Sequence, residues 1–247
     1  MSGDLISLRM LLVGAEEAHE NHWREAATQA SVPIDFDVGT PSAAKVALSR
    51  GGVDFCVLDS ALTDADRASV IKAARAKKPT PLVFACLASA GGRPDKIDGL
   101  LAEPASAGEA LQLIEICIRA KMPTQVLVAA DSDSLRGVVR KILKASRFTL
   151  DIHEAEDSAD TLDRLRKGNF GLVFLDYNMP RLNGADVLHG IKREHPNMAV
   201  VMMSSSLNRG AAGRPHLSEA LAFLRKPFYP ADVDSVLQRY FGLQGRR

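Results

Sequence analysis

The sequence predicts an α/β protein made of two doubly wound parallel sheets in tandem. Its 247 residues are enough for two domains of ordinary size. Apolar runs of strand length alternate with stretches of helical periodicity, and this order of segments occurs twice along the chain. Hydrophobic residues make up 46% and charged residues 25%, which is globular composition.

The second half shows the alternation most clearly. Continuous apolar runs such as LVFL are typical of strands covered on both faces. Five strands and their connections within about 120 residues predict a flavodoxin-like (βα)5 sheet. The predicted strands are 125–130, 148–153, 171–175, 199–203 and 221–224. The apolar stripes of the helices that follow them include Val138, Val139 and Leu143, then Leu162 and Leu165, then Val187, Leu188 and Ile191 after the candidate cap Asn183, and finally Val233, Val236 and Leu237.

The first half repeats this order. FCVLDSAL aligns with VFLDYNMP, which places Asp59 over Asp176, and LLAEPASAGEAL aligns with FLRKPFYPADVD. Two flavodoxin-like domains are therefore predicted, at 1–121 and 124–247, with Pro123 ending the helix before the joint. In the first copy the fourth connection, ASAGGRPDKI, is too short and too rich in Gly and Pro for a full helix. The predicted strands there are 9–13, 34–38, 54–58, 82–86 and 99–101.

Composition and charge exclude several classes of protein. Lys and Arg number 31 against 30 Asp and Glu, so the formal charge of +1 offers no global field for nucleic acid or for an anionic membrane. No apolar run approaches the roughly 20 residues of a membrane span, and the N-terminus lacks the features of a signal peptide. We expect a cytoplasmic protein. Its three cysteines lack the paired spacing of disulfides or zinc sites, so we expect them to be buried.

Polar residues follow four of the apolar runs in the second half. They are Asp131, Asp176, Ser204 and Lys226. Because the carboxyl ends of parallel strands open onto one crevice, we expect these side chains to converge. Two carboxylates supply oxygen ligands for Mg²⁺, and a lysine with a hydroxyl can bind phosphoryl oxygens. The sequence therefore predicts a phosphoryl-transfer site.

Four strings in this half, in order, resemble the receiver domain of bacterial two-component response regulators: VLVAADSDSLR, VFLDYNMPRLNG, VVMMSS and FLRKPF. The resemblance covers residues 124–243. It implies that Asp176 accepts a phosphoryl group from a histidine kinase or phosphotransfer protein. It also implies that Mg²⁺ is held by Asp131, Asp176 and the backbone carbonyl of Asn178.

The resemblance further assigns a switch. Lys226 would pair with the phosphoryl group, with a cis bond to Pro227, and Ser204 would move to bind a phosphoryl oxygen while Phe223 turns inward. The output face would be the fourth helix, fifth strand and fifth helix, through which homodimers can form. Since only FGLQGRR follows Tyr240, we expect no DNA-binding or enzymatic output domain. The protein would then act on a downstream protein target by contact, with no enzymatic activity beyond its own phosphorylation and dephosphorylation.

The sequence also departs from the family pattern. Ala130 replaces the first residue of the acidic pair, which should weaken Mg²⁺ binding. Gly210, Gly213 and Pro215 should leave the fourth helix short, kinked or mobile. The first copy has lost its site, so we predict a pseudo-receiver that is not phosphorylated: its acidic pair reads Gly14 and Ala15, its hydroxyl position Cys86 and its lysine position Glu103, with Asp59 alone retained. Glu16 could replace a metal ligand, and His19 and His22, three residues apart on a predicted helix, could bind a metal, but we expect all three to be solvated.

Other interpretations compete with these. Asp176 could be a turn aspartate, Asp131 a helix N-cap and Lys226 a solvated lysine, and Ser204 is one of three consecutive serines. One alternative function is a scaffold that works without phosphorylation, which the loss of the acid at Ala130 favours. Another is a phosphatase with an aspartyl nucleophile, which is disfavoured because Asn178 stands where the general acid would be.

Overall fold

Each half of the chain folds around its own parallel sheet. The structure is a computed structural model, and it describes residues 7–76, 78–87, 94–180, 182–205 and 218–245. The chain divides into two compact units, Met1–Met122 with Phe241–Arg247 and Pro123–Tyr240. The predicted tandem of α/β domains is confirmed.

The first unit has five parallel strands in the order β2-β1-β3-β4-β5. β3 and β4 are buried along their whole length, as their continuous apolar sequences predict. Helices α1 and α4 pack side by side, as do α2 and α3. The elements are β1 Leu8–Val13, α1 Glu17–Gln29, β2 Ile34–Gly39, α2 Pro41–Arg50, β3 Phe55–Leu58, α3 Asp64–Arg75, β4 Leu82–Cys86, β5 Gly99–Leu101 and α4 Ala107–Lys121.

The second unit has the same topology, with strand order β10-β9-β8-β6-β7 and every pair parallel. Buried side chains of β6, β8 and β9 form one core with α7, where Val187, Leu188 and Ile191 are fully buried as predicted. The elements are β6 Thr124–Ala129, α5 Asp133–Lys144, β7 Leu150–Ala155, α6 Ser158–Lys167, β8 Leu172–Asp176, α7 Gly184–Glu194, β9 Ala199–Ser204, β10 Ala222–Arg225 and α8 Pro230–Phe241.

The structure refines several predictions from the sequence. Val138 was expected on the core stripe of α5, yet its side chain is 51% exposed, while Val139 and Leu143 are buried. Between β4 and β5, the described residues 94–98 form no helix, in line with the short connection predicted there. The segment around Gly210, Gly213 and Pro215 lies outside the described residues. None of the helices within the described ranges is long and apolar enough to cross a membrane.

The last described residues pack with the first unit, although the sequence placed 124–247 together. Phe241 and Leu243 are fully buried. The Leu100 amide donates to the Leu243 carbonyl at 2.7 Å, and the Gly245 amide donates to the Leu100 carbonyl at 3.1 Å. A Cβ on Gly99 would lie 2.5 Å from the Cβ of Leu243, so residue 99 has no room for a side chain. The sheet of the first unit is thus extended beyond β5 by a short parallel bridge.

Candidate functional site

Asp176 is the last residue of β8 and is almost fully buried. Its Oδ1 accepts hydrogen bonds from the ammonium of Lys226 at 2.7 Å and from the Asn178 amide at 3.1 Å. The apolar residues that precede Asp176 hold this carboxylate at the edge of the core, where the Lys226 charge compensates it. Lys226 is therefore not the merely solvated lysine of the competing interpretation.

Ser204 and Lys226 reach the same edge through the two neighbouring strands. β8 and β9 pair Asp176 with Met203, and β9 and β10 pair Ser204 with Arg225. Ser204 is buried, and its carbonyl accepts from the Lys226 amide at 2.8 Å. Of the three candidate hydroxyls, Ser204 ends the strand, Ser205 is exposed and Ser206 lies outside the described residues. The peptide bond between Lys226 and Pro227 is cis.

The register pairs Ala129 with Leu175, so Ala130 comes opposite Asp176 and Asp131 follows one residue beyond it, at the same edge of the sheet. It is exposed, and the N-cap of α5 is Ser132, whose hydroxyl accepts from the Leu135 amide. The capping role that competed with metal binding thus belongs to Ser132.

Ala130, which stands in place of an acid, is fully buried. Its carbonyl accepts a hydrogen bond from the guanidinium of Arg136 at 2.7 Å. Arg136 is buried and also pairs with Asp133 and with Glu154. The sequence analysis did not predict this buried cation. The one feature that could have indicated it is an arginine in the first turn of a helix that follows a strand end.

The loop after Asp176 turns sharply. The Gly184 amide donates to the Tyr177 carbonyl at 2.8 Å, and a Cβ on Gly184 would lie 2.4 Å from the Asp176 carbonyl oxygen. Glycine at the start of α7 therefore allows the loop to close against the strand end. Asn178 is exposed in this loop, and Phe223 on β10 is 38% exposed.

The donors at this edge suit a magnesium ion. The groups assigned to it are the carboxylates of Asp131 and Asp176 and the backbone carbonyl of Asn178, so all are oxygens, which Mg²⁺ prefers. Asp176 already has one oxygen fixed by two hydrogen bonds, which orients its carboxylate.

The equivalent edge of the first unit is built differently. Asp59 follows β3 and is almost fully buried, and its amide donates to the Val13 carbonyl at 3.0 Å. Gly14, at the position of the acidic pair, has φ +75°. A Cβ there would lie 2.4 Å from a terminal carbon of Leu62, so Leu62 packs where an acidic side chain would begin.

Two further side chains meet Asp59 in this pocket. His19 Nδ1 lies 3.4 Å from Asp59 Oδ2 and 3.2 Å from Glu103 Oε1, and the Ser60 hydroxyl donates to the same Glu103 oxygen at 2.7 Å. The expectation that His19 is solvated was wrong, because α1 begins only two residues earlier and its first turn lies over the sheet edge. His22 is also only partly exposed, whereas Glu16 is exposed as expected.

The third polar position of this pocket is Cys86, at the end of β4. Burial raises the pKa of its thiol well above the usual value, and the charges of Asp59 and Glu103 raise it further. Cys86 is therefore a protonated, buried thiol, and it offers no hydroxyl of the kind that Ser204 supplies in the second unit.

Sequence comparison places the second unit among receiver domains. Residues 126–238 match the family described as response regulator receiver domain. Chemotaxis protein CheY-3 of Vibrio cholerae is 28% identical over 119 residues, which cover 47% of this chain and 91% of that protein. A protein-glutamate methylesterase/protein-glutamine glutaminase of Rhizobium etli is 35% identical over 89 residues, covering 36% of this chain but only 25% of that protein.

Comparison with solved structures extends over both units. A probable two-component system response regulator/GGDEF domain protein matches with a TM-score of 0.57 at 20% identity, covering 95% of this chain and 98% of that one. At this identity the match shows the shared fold of two flavodoxin-like sheets. The family match thus lies within the second unit, and the first unit shares its strand order.

Proposed function

We propose that the second unit is a phosphorylation switch in which Asp176 accepts a phosphoryl group from a histidine kinase or phosphotransfer protein. The observation that carries this proposal is the 2.7 Å contact between the Lys226 ammonium and the buried carboxylate of Asp176. It supplies both a nucleophile and a fixed positive charge at one strand edge, which is what acceptance of a dianionic phosphoryl group requires.

The chemical step follows from these groups. A carboxylate oxygen of Asp176 forms a bond to phosphorus while the bond from phosphorus to the donor imidazole nitrogen breaks. The electron pair leaves with that imidazole, so Asp176 needs no general base. Lys226 then exchanges its contact with the carboxylate for one with a phosphoryl oxygen, and the Ser204 hydroxyl donates to another.

A bound Mg²⁺ would neutralise negative charge on the phosphoryl oxygens during transfer. Asp131, Asp176 and the carbonyl of Asn178 are the residues that would hold it. Ala130 makes this site less favourable for a cation than a pocket with two adjacent acids.

The signal leaves through protein contacts. Movement of Ser204 toward the phosphoryl group would free space that Phe223, on β10 beside β9, can enter. The half-exposed ring of Phe223 belongs to the output face, so its rotation would alter the surface seen by a downstream protein or by a second copy. The first unit, in which Glu103 replaces the lysine, would stay unphosphorylated.

The test is intact mass of the full chain after incubation with acetyl phosphate and Mg²⁺. We expect one phosphoryl adduct that disappears in Asp176→Asn and when the metal is chelated. The matched control is Asp59→Asn, the equivalent change in the first unit, which should leave the adduct unchanged. Persistence of the adduct in Asp176→Asn would overturn the assignment.

A scaffold that works without phosphorylation is the second candidate. The buried Ala130 at the position of the missing acid favours it, because the pocket has one carboxylate fewer to hold a metal ion. In that case the wild-type chain forms no adduct at any Mg²⁺ concentration, and the Asp176→Asn variant binds the same partners as the wild type.

A further inference from the structure

The pocket of the first unit brings together three side chains that can bind a metal. His19 lies in the first turn of α1, Asp59 follows β3 and Glu103 follows β5. One ligand atom from each lies within 4.8 Å of the other two. Within the described part of the chain, this is the one group of three or more His, Cys, Asp or Glu residues with such spacing.

The His19 nitrogen that faces the carboxylates has no hydrogen-bond partner. Nδ1 is buried from solvent, yet neither carboxylate oxygen lies in the direction needed for a hydrogen bond, although both are within 3.4 Å. A buried polar nitrogen is normally satisfied. An ion placed between the nitrogen and the two oxygens would satisfy all three groups at once.

We propose that His19 Nδ1, Asp59 Oδ2 and Glu103 Oε1 bind a divalent transition-metal ion, with Zn²⁺ as the reference ion. The spacing supports this choice. With bonds of about 2.0–2.2 Å, ligand atoms around tetrahedral Zn²⁺ are about 3.3–3.6 Å apart. The two nitrogen-to-oxygen distances of 3.4 and 3.2 Å are close to that range. An imidazole with two carboxylates also favours zinc and its neighbours over Mg²⁺.

Each carboxylate also accepts a hydrogen bond from the protein, Asp59 on its other oxygen and Glu103 on the proposed ligand oxygen itself. Asp59 Oδ1 accepts from the Ala61 amide at 2.9 Å, which leaves Oδ2 facing His19. Glu103 Oε1 accepts from the Ser60 hydroxyl at 2.7 Å. Such outer contacts are typical of metal sites, where they orient the ligands. The side chains of His19 and Glu103 are each about a third exposed, so a water molecule can reach the fourth position.

Charge also favours a cation here. In the described residues, the carboxylates of Asp59 and Glu103 have no ion-pair partner other than His19. The buried Arg67 guanidinium pairs with Asp64 and donates to the backbone carbonyl of Asp59 at 3.4 Å, not to its carboxylate. In the second unit the equivalent carboxylate is neutralised by Lys226. A bound ion would take the place of that ammonium in the first unit.

The competing explanation is a protonated His19 that neutralises the two carboxylates without a metal. Titration of the full chain with Zn²⁺, and with Co²⁺ as a spectroscopic probe, separates the two. We expect one tight site, with the intense visible absorption of tetrahedral Co²⁺. Glu103→Gln and His19→Asn should each weaken binding about 100-fold or more, and Ser60→Ala about 10-fold.

Two controls keep the result specific. His22→Asn, on the same helix, and Asp176→Asn, in the other unit, should leave the Zn²⁺ affinity unchanged. Equal binding by the wild type and Glu103→Gln, or no site tighter than millimolar, would overturn the proposal. Because the readout is metal affinity rather than phosphorylation, its failure is distinct from failure of the proposed switch.

Discussion

The two units share a strand order but differ in the charge of the pocket at the strand ends. In the second unit a buried aspartate meets an ammonium, with 2.7 Å between Asp176 Oδ1 and Lys226 Nζ. In the first unit the equivalent Asp59 meets an imidazole and a second carboxylate, that of Glu103. The buried strands specify the fold in both units, while a few residues beyond each strand set the chemistry.

The pocket of the first unit has side-chain contacts of its own and is not simply the pocket of the second unit with residues removed. Leu62 packs over Gly14, Ser60 binds Glu103, and the His19 ring closes the space between the two acids. Restoring a single residue of the acidic pair would therefore not restore a phosphoryl site. With Glu103 where the second unit has Lys226, the surrounding side chains form a different set of contacts.

The largest expected effect comes from placing in the second unit the acid that the first unit has at the lysine position, Glu103. Lys226→Glu should reduce phosphoryl adduct formation about 100-fold or more, because losing the partner of a buried charge costs about 2–5 kcal/mol. Intact mass over time with acetyl phosphate measures this. Lys144→Glu, at an exposed position in α5, is the control and should react as the wild type does. Equal adduct formation by Lys226→Glu would contradict the role of the lysine.

The next effect concerns the residues that extend only the first sheet. Leu243→Ala should lower the free energy of unfolding by about 2–5 kcal/mol, because Leu243 is fully buried. The Leu100 amide, which donates to Leu243, should then exchange its hydrogen faster. Leu182→Ala, at a side chain 44% exposed, should change stability by less than about 0.5 kcal/mol. Unaltered exchange at Leu100 would show that the C-terminal segment is not held there.

Replacing one glycine of each unit by alanine compares how tightly the loops of the two pockets are packed. Gly184→Ala should cost about 2–3 kcal/mol and slow phosphorylation, since the new Cβ meets the Asp176 carbonyl oxygen and the Tyr177 backbone. Gly14→Ala should cost about 1–2 kcal/mol. This is the cost of the positive φ alone, because the Leu62 side chain can move away from the new Cβ.

Urea unfolding measures both glycine variants, and Gly137→Ala serves as the control. Gly137 lies inside α5 with open space around it, so this change should stabilise the protein by about 0.5–1 kcal/mol. If Gly184→Ala proved no more harmful than Gly14→Ala, the close approach at Asp176 would not constrain the loop.

The smallest effect is the pH dependence that one buried thiol of the first unit, that of Cys56, contributes to stability. Burial raises the pKa of Cys56 from 9.0 to about 12. Its contribution is constant below pH 9, and above pH 9 the unfolded thiol ionises while the folded one does not. The contribution of this one thiol to stability should then fall by about 1.4 kcal/mol per pH unit until about pH 12.

Urea unfolding at pH 8 and pH 10 tests this linkage. The wild type should lose about 1.4 kcal/mol more than Cys56→Ala over that interval. Identical losses in the two proteins would mean that Cys56 is not protonated in the folded state at pH 10.

Most of the fold could be predicted from the sequence because the strands are buried on both faces. Runs such as FCVL and LVFL have no polar alternation, so both their type and their position are evident from composition. The same runs end at Asp59 and Asp176, which is why the strand-end sites were found. Asp176 and Lys226 were expected to lie near each other because the carboxyl ends of parallel strands share one edge of the sheet.

Other features depend on contacts that no local pattern encodes. His19 looked solvated because helical spacing shows which residues share a face and not which strand end lies beneath a first turn. The buried Arg136 and the return of Phe241 to the first unit are likewise tertiary facts. The metal roles of Asp131 and Asn178 and the switch role of Phe223 remain predictions.

The return of the C-terminal residues to β5 has a consequence for how the protein is made. The edge of the first sheet is completed by Leu243 and Gln244, which a ribosome adds only after every strand of the second unit. During translation, the β5 edge of the first unit therefore stays uncovered until these residues are made. An uncovered strand edge can pair with another nascent chain. A nascent polypeptide stalled before residue 241 should be more prone to aggregation than the released protein.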